Sequence, residues 1–536
     1  MTDDRTTNDR TTNDRTTNDR TERKDPDMGE PAQRQLHLGY MYWLNGTHWG
    51  GWRLPESATP DPFGLAYPAQ VLKLVEDAKF DFFFLGDTLP GDVYREHYGT
   101  THNAGRLEPF TLASQLALQS SKIGLAVTAH PTFYEPYILA RLTASLDHLS
   151  GGRLAWNVVL GANDLAAKNF SLPDLGGESR YRRAAEFIDV IRKLWDSVED
   201  GAYLQDKESG QYLDPSKIHR LEHQGEFFSV AGTLPMLRPP QGHVPLLYAG
   251  GSELSRELTA QYCDINFTGP PTLEASAEFN ADVRARALRL RGREEPVFFL
   301  PGITPVIGDT REEAIDLFDR LNAGLPVDDD PVAGDQPEDY YTSEAFQAAQ
   351  RGRAPLPKGA RSLRSIGERT GADLRPLGLD GVLTPSLAAE LNDVGQKLLR
   401  TIAQRTGRTV EAGTVRGRDL LHNSIGGGFP LAIGTADDVA GTLIEWFEQG
   451  AADGFNIQSP AMLDQLERFT RQVVPILQDK GVFRTEYEAD TFRGHFGLPV
   501  PPNQFAAASA PSGLSAPSGP SGSASASGPS ASGTEE

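Results

Sequence analysis

The chain has 536 residues, a formal net charge of −22 and 38% hydrophobic residues. The acidic balance argues against a nucleic-acid or anionic-membrane partner, because both need a basic surface. It leaves room for an anionic small molecule in a local basic pocket. The lone cysteine, Cys263, excludes an intrachain disulfide, a thiolate metal cluster and a CxxC redox pair. No HExxH, Walker A lysine loop or GxSxG elbow occurs, so no metal site is expected. The polar N-terminus has no apolar signal segment, and no run approaches the length of a membrane span. A cytoplasmic location is expected.

Residues 1–30 are polar and repeat RTTND three times from Arg5. They carry too little apolar surface to order themselves and are expected to form a disordered tail. Residues 506–536 are almost all Ala, Ser, Gly and Pro and are expected to form a second one.

Between the tails, strand-like and helix-like segments alternate. LHLGYMYW (36–43) predicts a first strand and PAQVLKLVEDAKF (68–80) a helix, with Leu72, Val75 and Lys79 at helical spacing. DFFFLGD (81–87) and IGLAVTAH (123–130) are short apolar runs of the kind buried in parallel sheets. A helix over 136–152 ends in glycines, and RLAWNVVLG (153–161) is the fourth strand. The helix over 180–195 places Ala184, Phe187, Ile188, Ile191, Leu194 and Trp195 on one stripe. Strand 244–251, helix 252–263 and strands at 264–269, 297–308 and 453–458 follow, with a late helix over 463–481. This alternation predicts a closed (β/α)8 TIM barrel over 31–505. The stretch 325–428, rich in Pro, Gly and charge, is expected to be an insertion late in the barrel.

Barrel chemistry gathers at the C-terminal ends of the strands. There the sequence places His48 after strand one, Asp87 after strand two, Thr128 and His130 after strand three, Asn157 on strand four, and Gly250-Gly251-Ser252 before a helix. Ser252 at a helix N-terminus suits a phosphate, where free N–H groups converge; the same turn also serves as a plain cap. Asp87 equally caps a turn, His48 equally packs, and His130 before Pro131 equally shapes a loop. Trp43, Trp49 and Trp52 either belong to the core or wall a water-excluding cavity.

Eight segments, in order from about residue 36 to 500, together resemble one family. They are LHLGYMYWLNGTHWGGWRLP, KFDFFFLGDTL, EPFTLASQLALQSSKIGLAVTA, EPYILARLTASLDHLSGGRLAWNVV, RYRRAAEFIDVIRKLWDSVEDGAYL, LRPPQGH, AGGSE, and AADGFNIQSP with VVPILQDKGVFRTEYEADTFRGHFGL. The family is the luciferase-like flavin-dependent monooxygenases of the nitrilotriacetate monooxygenase component A and dibenzothiophene-sulfone monooxygenase type. The resemblance implies an oxygenase component that takes FMNH2 from a separate NAD(P)H:FMN reductase. It would oxygenate a small organic substrate with O2 by way of a flavin hydroperoxide, and a homo-oligomer is expected. It implies flavin contacts from Asp87, Thr128, Asn157 and Tyr181, and phosphate contacts from Gly251 and Ser252. His48 is the candidate catalytic group beside the reacting atoms.

The chain departs from the family pattern in three places. Gly177 stands where a His is usual, Leu160-Gly161 where Thr-Ser is usual, and AGGS where AGSS is usual. Losing two or three neutral hydrogen bonds of about 0.5–1.5 kcal/mol each would weaken FMN binding roughly ten- to a thousand-fold. His130, at a position usually Ser or Thr, is expected to supply a replacement contact. Two other readings are an F420- or FMN-dependent oxidoreductase that transfers hydride without oxygen, and a flavin-binding protein without catalysis. The sequence does not disclose the substrate.

Overall fold

In a computed structural model of the chain, residues 34–508 are described apart from 49, 59, 88, 90–105, 162–163, 172–175, 271, 293–295, 324–361 and 426–429. The expected tail over 1–30 lies outside these residues. The folded unit begins at Leu36.

Strands β1 (His37–Tyr42), β2 (Phe82–Leu85), β3 (Gly124–Ala129) and β4 (Leu154–Val158) pair in parallel in chain order. An antiparallel hairpin of β5 (Leu221–Gln224) and β6 (Ser229–Gly232) stands apart from that sheet. The sheet resumes with β7 (Leu246–Tyr248), β8 (Ile265–Asn266) and β9 (Phe298–Phe299). Strand β10 (Gly302–Ile307) pairs with β11 (Leu431–Gly434) and with β12 (Gly454–Ile457), and β12 returns to β1. The Asp453 amide donates to the Phe299 carbonyl at 2.8 Å, which joins β12 to β9 and closes the ring. The fold is the expected barrel, with strand seven bent into β9 and β10.

Helices pack outside the strands: α1 (Ala66–Asp77), α2 (Pro109–Leu116), α3 (Pro136–Ser150), α4 (Asp164–Asn169), α5 (Gly177–Asp196), α6 (Glu253–Tyr262), α7 (Leu273–Arg291) and α8 (Arg311–Ala323). Lys79 does not belong to α1. Its φ of 67° lies in the left-handed region just past the helix end, where the chain turns into β2. Helix α7 escaped the sequence pattern because its buried face mixes Ser276 and Asn280 with Phe279, Val283 and Ala287. Between α8 and β11, α9 (Leu363–Thr370), α10 (Pro385–Ala389), α11 (Asp393–Thr406) and α12 (Gly417–Ile425) share their own apolar cluster around Ile366, Leu374, Leu383, Ile402 and Leu420. Asn392 caps α11 and separates it from α10. Arg408 ties this group of helices to Asp319 of α8. After α13 (Ala436–Glu448) and β12, a helical run over 464–479 leads to the C-terminal segment. Gln504–Ala508 is helical and carries three residues into the stretch read as a tail.

Side-chain alternation divides each strand between two environments. Leu38, Tyr40, Phe83, Leu85, Leu125, Val127, Leu154 and Trp156 face the helices. Met41, Phe82, Phe84, Ala126, Ala155, Leu247 and Ile265 face the barrel axis, where Phe492, Phe496 and Leu498 plug the N-terminal end. That plug is held by charge. Asp81, fully buried, accepts from the Leu38 amide at 2.7 Å, meets His37 Nδ1 at 2.9 Å and pairs with Arg484. Arg484 also donates to the His495 carbonyl at 3.2 Å. Burial alone would raise the Asp81 carboxyl, but the charges of Arg484 and His37 outweigh it and hold it below its ordinary value. Burial pushes His495 below the ordinary histidine value, against the pull of Asp81.

Both groups bind fewer protons in the folded chain than in the unfolded one, so both lose stability on acidification. The His495 contribution fades as pH falls below about 6.5, and that of Asp81 as pH falls below about 4. Asp147, raised by burial to about 6, works in the opposite direction. Asp81→Ala leaves Arg484 buried and unpaired and is expected to cost about 3–5 kcal/mol. Thermal melts from pH 7 to pH 2 check both statements: the wild type should soften toward acid, and the variant should melt lower at pH 7 and lose less below about pH 4.

Candidate active site

The C-terminal strand ends carry the polar side chains. Register sets Thr128 of β3 directly beside Asn157 of β4, and Asn157 Nδ2 donates to Thr128 Oγ1 at 2.8 Å. Both are buried on the axis-facing side, and Asn157 Oδ1 has no hydrogen-bond partner. One residue pair further out, His130 Nε2 lies 3.6 Å from Asp87 Oδ2, too far for a hydrogen bond. His130 is buried with neither ring nitrogen hydrogen-bonded.

A second group forms at the start of α6. Ser252 is its N-cap, accepting from the Ser255 amide at 3.3 Å. Tyr181 of α5 reaches across to Ser252 Oγ at 3.3 Å and Ser255 Oγ at 2.9 Å, and Tyr248 joins Ser255 at 3.2 Å. Burial alone would raise the Tyr181 phenol, but hydrogen bonds from Ser252, Ser255 and Tyr248, with the charge of Arg180, bring it below its ordinary value. Hydroxyls clustered at an α-helix N-terminus form a cradle for a dianion. Glu253, the acid in that first turn, is bound by Arg286 at 2.5 Å. Gly250 is required inside this cradle, since a Cβ there would meet Ser255 Oγ at 2.4 Å. At Gly251 the nearest atom to a Cβ is Thr268 Cγ2 at 3.7 Å, which leaves room for a side chain.

The other departures have backbone causes. Gly177 opens α5 with φ 51°, a conformation that disfavours any larger residue. Gly161 has φ 62°, and a Cβ there would lie 2.5 Å from the Phe133 ring. The Leu160 carbonyl accepts from Thr132 Oγ1 at 2.6 Å.

His48 sits in a different part of the mouth, in the loop after β1. Its amide donates to the Pro460 carbonyl at 3.2 Å, and its Nδ1 accepts from the Gly50 amide at 3.1 Å. Trp49 lies outside the described residues. Sequence reasoning missed Arg106, which stacks over Trp43 at 4.4 Å and donates to the Gly86 carbonyl at 3.3 Å. Burial lowers its guanidinium from the ordinary arginine value, while the charge of Asp87 opposes this. It lines a cleft with Tyr42, Trp43, Leu85 and Gly86 at the ends of β1 and β2. Arg180, beside the hydroxyl cradle, was missed too.

The mouth of the barrel thus gathers a hydroxyl cluster at a helix N-terminus and buried polar groups without hydrogen-bond partners. The luciferase-like monooxygenase family matches residues 41–453, and the chain belongs to that family. It is 36% identical to N-acetyl-S-(2-succino)cysteine monooxygenase of Bacillus subtilis (strain 168), covering 88% of this chain and 99% of that one. It is 35% identical to nitrilotriacetate monooxygenase component A of Aminobacter aminovorans, covering 89% and 100%. The solved EDTA monooxygenase of Chelativorans sp. BNC1 superposes with a TM-score of 0.65 at 29% identity, covering 87% and 99%. The chain is therefore an oxidoreductase, a monooxygenase that uses molecular oxygen and a flavin. Among the described residues no helix is long and apolar enough to cross a membrane, and no cluster of metal-ligating side chains occurs.

Two variants separate cradle from cap. Ser252→Ala is expected to lower FMN affinity roughly ten- to a hundred-fold, as for a hydrogen bond to a charged group. As a cap alone it would cost about 1 kcal/mol of stability with affinity unchanged. Gly251→Ser, which the open space accommodates, is expected to tighten FMN binding several-fold. Titration and thermal melting of the same preparations read both.

Proposed function

We propose that the chain is the oxygenase component of a two-component system, receiving FMNH2 from a separate NAD(P)H:FMN reductase and inserting one oxygen atom into a small organic substrate. The observation that carries the FMN reading is the cradle of Tyr181, Ser252 and Ser255 hydroxyls at the start of α6. It suits a terminal phosphate, and Arg180 supplies a nearby positive charge. When bound, reduced flavin supplies the electrons that activate oxygen.

The chain's own residues bind, orient and exclude water. Ser252, Gly251 and Tyr181 hold the phosphate end. Thr128 and Asn157 would hold the flavin ring from the barrel wall, where Asn157 keeps an acceptor, Oδ1, without a protein partner. Asp87 and His130 form a pair that closes on a ligand able to bridge their 3.6 Å gap. His48, whose Nδ1 accepts from the Gly50 amide, would be the polar group beside the reacting atoms.

Arg106 indicates the substrate class. Among the described residues its hydrogen-bond partner is a carbonyl and Asp87 is a nearby opposite charge, which leaves guanidinium donors beside Trp43 for an anionic group. Nitrilotriacetate and EDTA, for which two of the relatives are named, carry several carboxylates, and a polycarboxylate is the substrate class we propose.

Screening carboxylate-bearing substrates with FMNH2 from any flavin reductase tests this, read by oxygen consumption and the mass gain of one oxygen. Turnover that continues without oxygen would favour hydride transfer, and flavin binding without turnover of any substrate would favour a non-catalytic protein. Arg106→Met is expected to raise KM for a carboxylate substrate about ten- to a hundred-fold with a smaller change in kcat. Equal KM values would remove Arg106 from the substrate site.

A further inference from the structure

The barrel wall carries polar groups that the phosphate cradle and the Thr128–Asn157 pair leave unused. On β12 and one residue past its end, Asn456 and Gln458 are fully buried, and Nδ2, Oδ1, Nε2 and Oε1 all lack hydrogen-bond partners. Their backbones are engaged on both sides of the strand. The Asn456 amide donates to Pro301 O at 3.1 Å and the Gln458 amide to Ile303 O at 2.9 Å, while residues 454–457 pair with β1. No slip of register can relieve the side chains without breaking the ring.

Positions 456 and 458 share one face of the strand. Asn456 is registered with Gly39, which is in turn registered with the axis-facing Phe82. Both amides therefore project toward the axis, with Gln458 one layer nearer the mouth. Trp43 and Phe267 are half-buried on the same inner surface. Native interiors leave few buried polar atoms unpaired, and four on adjacent inward positions are an exception that a ligand explains.

The unpaired atoms define that ligand. Each amide presents a donor and an acceptor together. A carboxylate answers only the donors, and a hydrocarbon answers neither. A cyclic imide, with its N–H between two carbonyls, answers both. The pyrimidine edge of a flavin ring is such an imide. We propose that Gln458 reads this edge through paired hydrogen bonds, donating from Nε2 to a ring carbonyl and accepting the ring N–H at Oε1. Asn456 lies beneath it and donates to the other carbonyl. This assignment rests on the flavin reading of the site and adds the residues that recognise the ring itself.

The test titrates wild type, Gln458→Leu and Asn456→Leu with FMN and with 3-methyl-FMN, whose imide N–H is blocked, and melts each protein without flavin. Wild type should prefer FMN over 3-methyl-FMN by roughly tenfold or more, as for loss of a buried hydrogen bond. Gln458→Leu should bind FMN at least about tenfold more weakly and lose most of that preference. Its flavin-free melting temperature should hold or rise, because an unanswered buried amide has been removed. Should Gln458→Leu fail to fold, Gln458→Met serves in its place. Unchanged affinity in the variants, no discrimination by wild type, or a lower melting temperature with affinity intact would each overturn the proposal. If wild type binds no flavin at all, the flavin reading falls with it. Binding that is normal in wild type and in both variants overturns the present assignment alone.

Discussion

The buried carboxylate of Asp81 joins parts of the chain that are 403 residues apart in sequence. It sits at the start of β2, takes the amide of Leu38 on β1, and neutralises Arg484 from the C-terminal segment. A charge sealed from water is tolerated only when it is answered on every side. Asp81 is answered by His37, Leu38 and Arg484, and this fixes where 483–498 must lie. The rings of Phe492 and Phe496 then fill the N-terminal end of the barrel, with His37 stacked on Phe496 at 4.3 Å. The closed lower end leaves the opposite end of the barrel for chemistry.

That upper end follows a different rule. Toward the strand C-termini the axis-facing positions change from Phe84, Ala126 and Ala155 to Thr128, Asn157 and Gln458. Each buried polar atom left without a partner costs about 1–3 kcal/mol. The chain carries several such atoms around the barrel wall, a cost that the apolar lower half offsets. Stability is concentrated at one end of the barrel and binding capacity at the other.

The departures from the family pattern belong to this architecture. Gly161 cannot carry a side chain because Phe133 covers it, and Gly177 takes a backbone conformation at the head of α5 that suits glycine. At these two points polar groups usual in the family are absent for steric and conformational reasons. At the head of α6, Tyr181, Ser252, Ser255 and Tyr248 form one connected set of hydroxyl hydrogen bonds. His130, expected as a replacement contact, lies 3.6 Å from Asp87 with neither ring nitrogen hydrogen-bonded.

The barrel was legible in the sequence because its strands are short apolar runs and its longest helix repeats Phe187, Ile191 and Leu194 at helical spacing. Local signals of this kind survive without tertiary context. The turn at Ser252 was legible for the same reason, since a cap is a local structure. Helix α7 and the hairpin β5–β6 were not, because their burial is incomplete and their patterns mix polar with apolar residues. The family segments led to Asp87, Thr128 and Asn157, but only the register of β3 against β4 makes Thr128 and Asn157 partners. Nothing local distinguishes Asn456 and Gln458 from polar residues on a solvent face. Their burial depends on ring closure through Asp453 and Phe299, and closure is a property of strands far apart in sequence. Strand type and cap chemistry are written in neighbouring residues, whereas which polar atoms are left facing the axis without partners is decided by the packing of the whole ring.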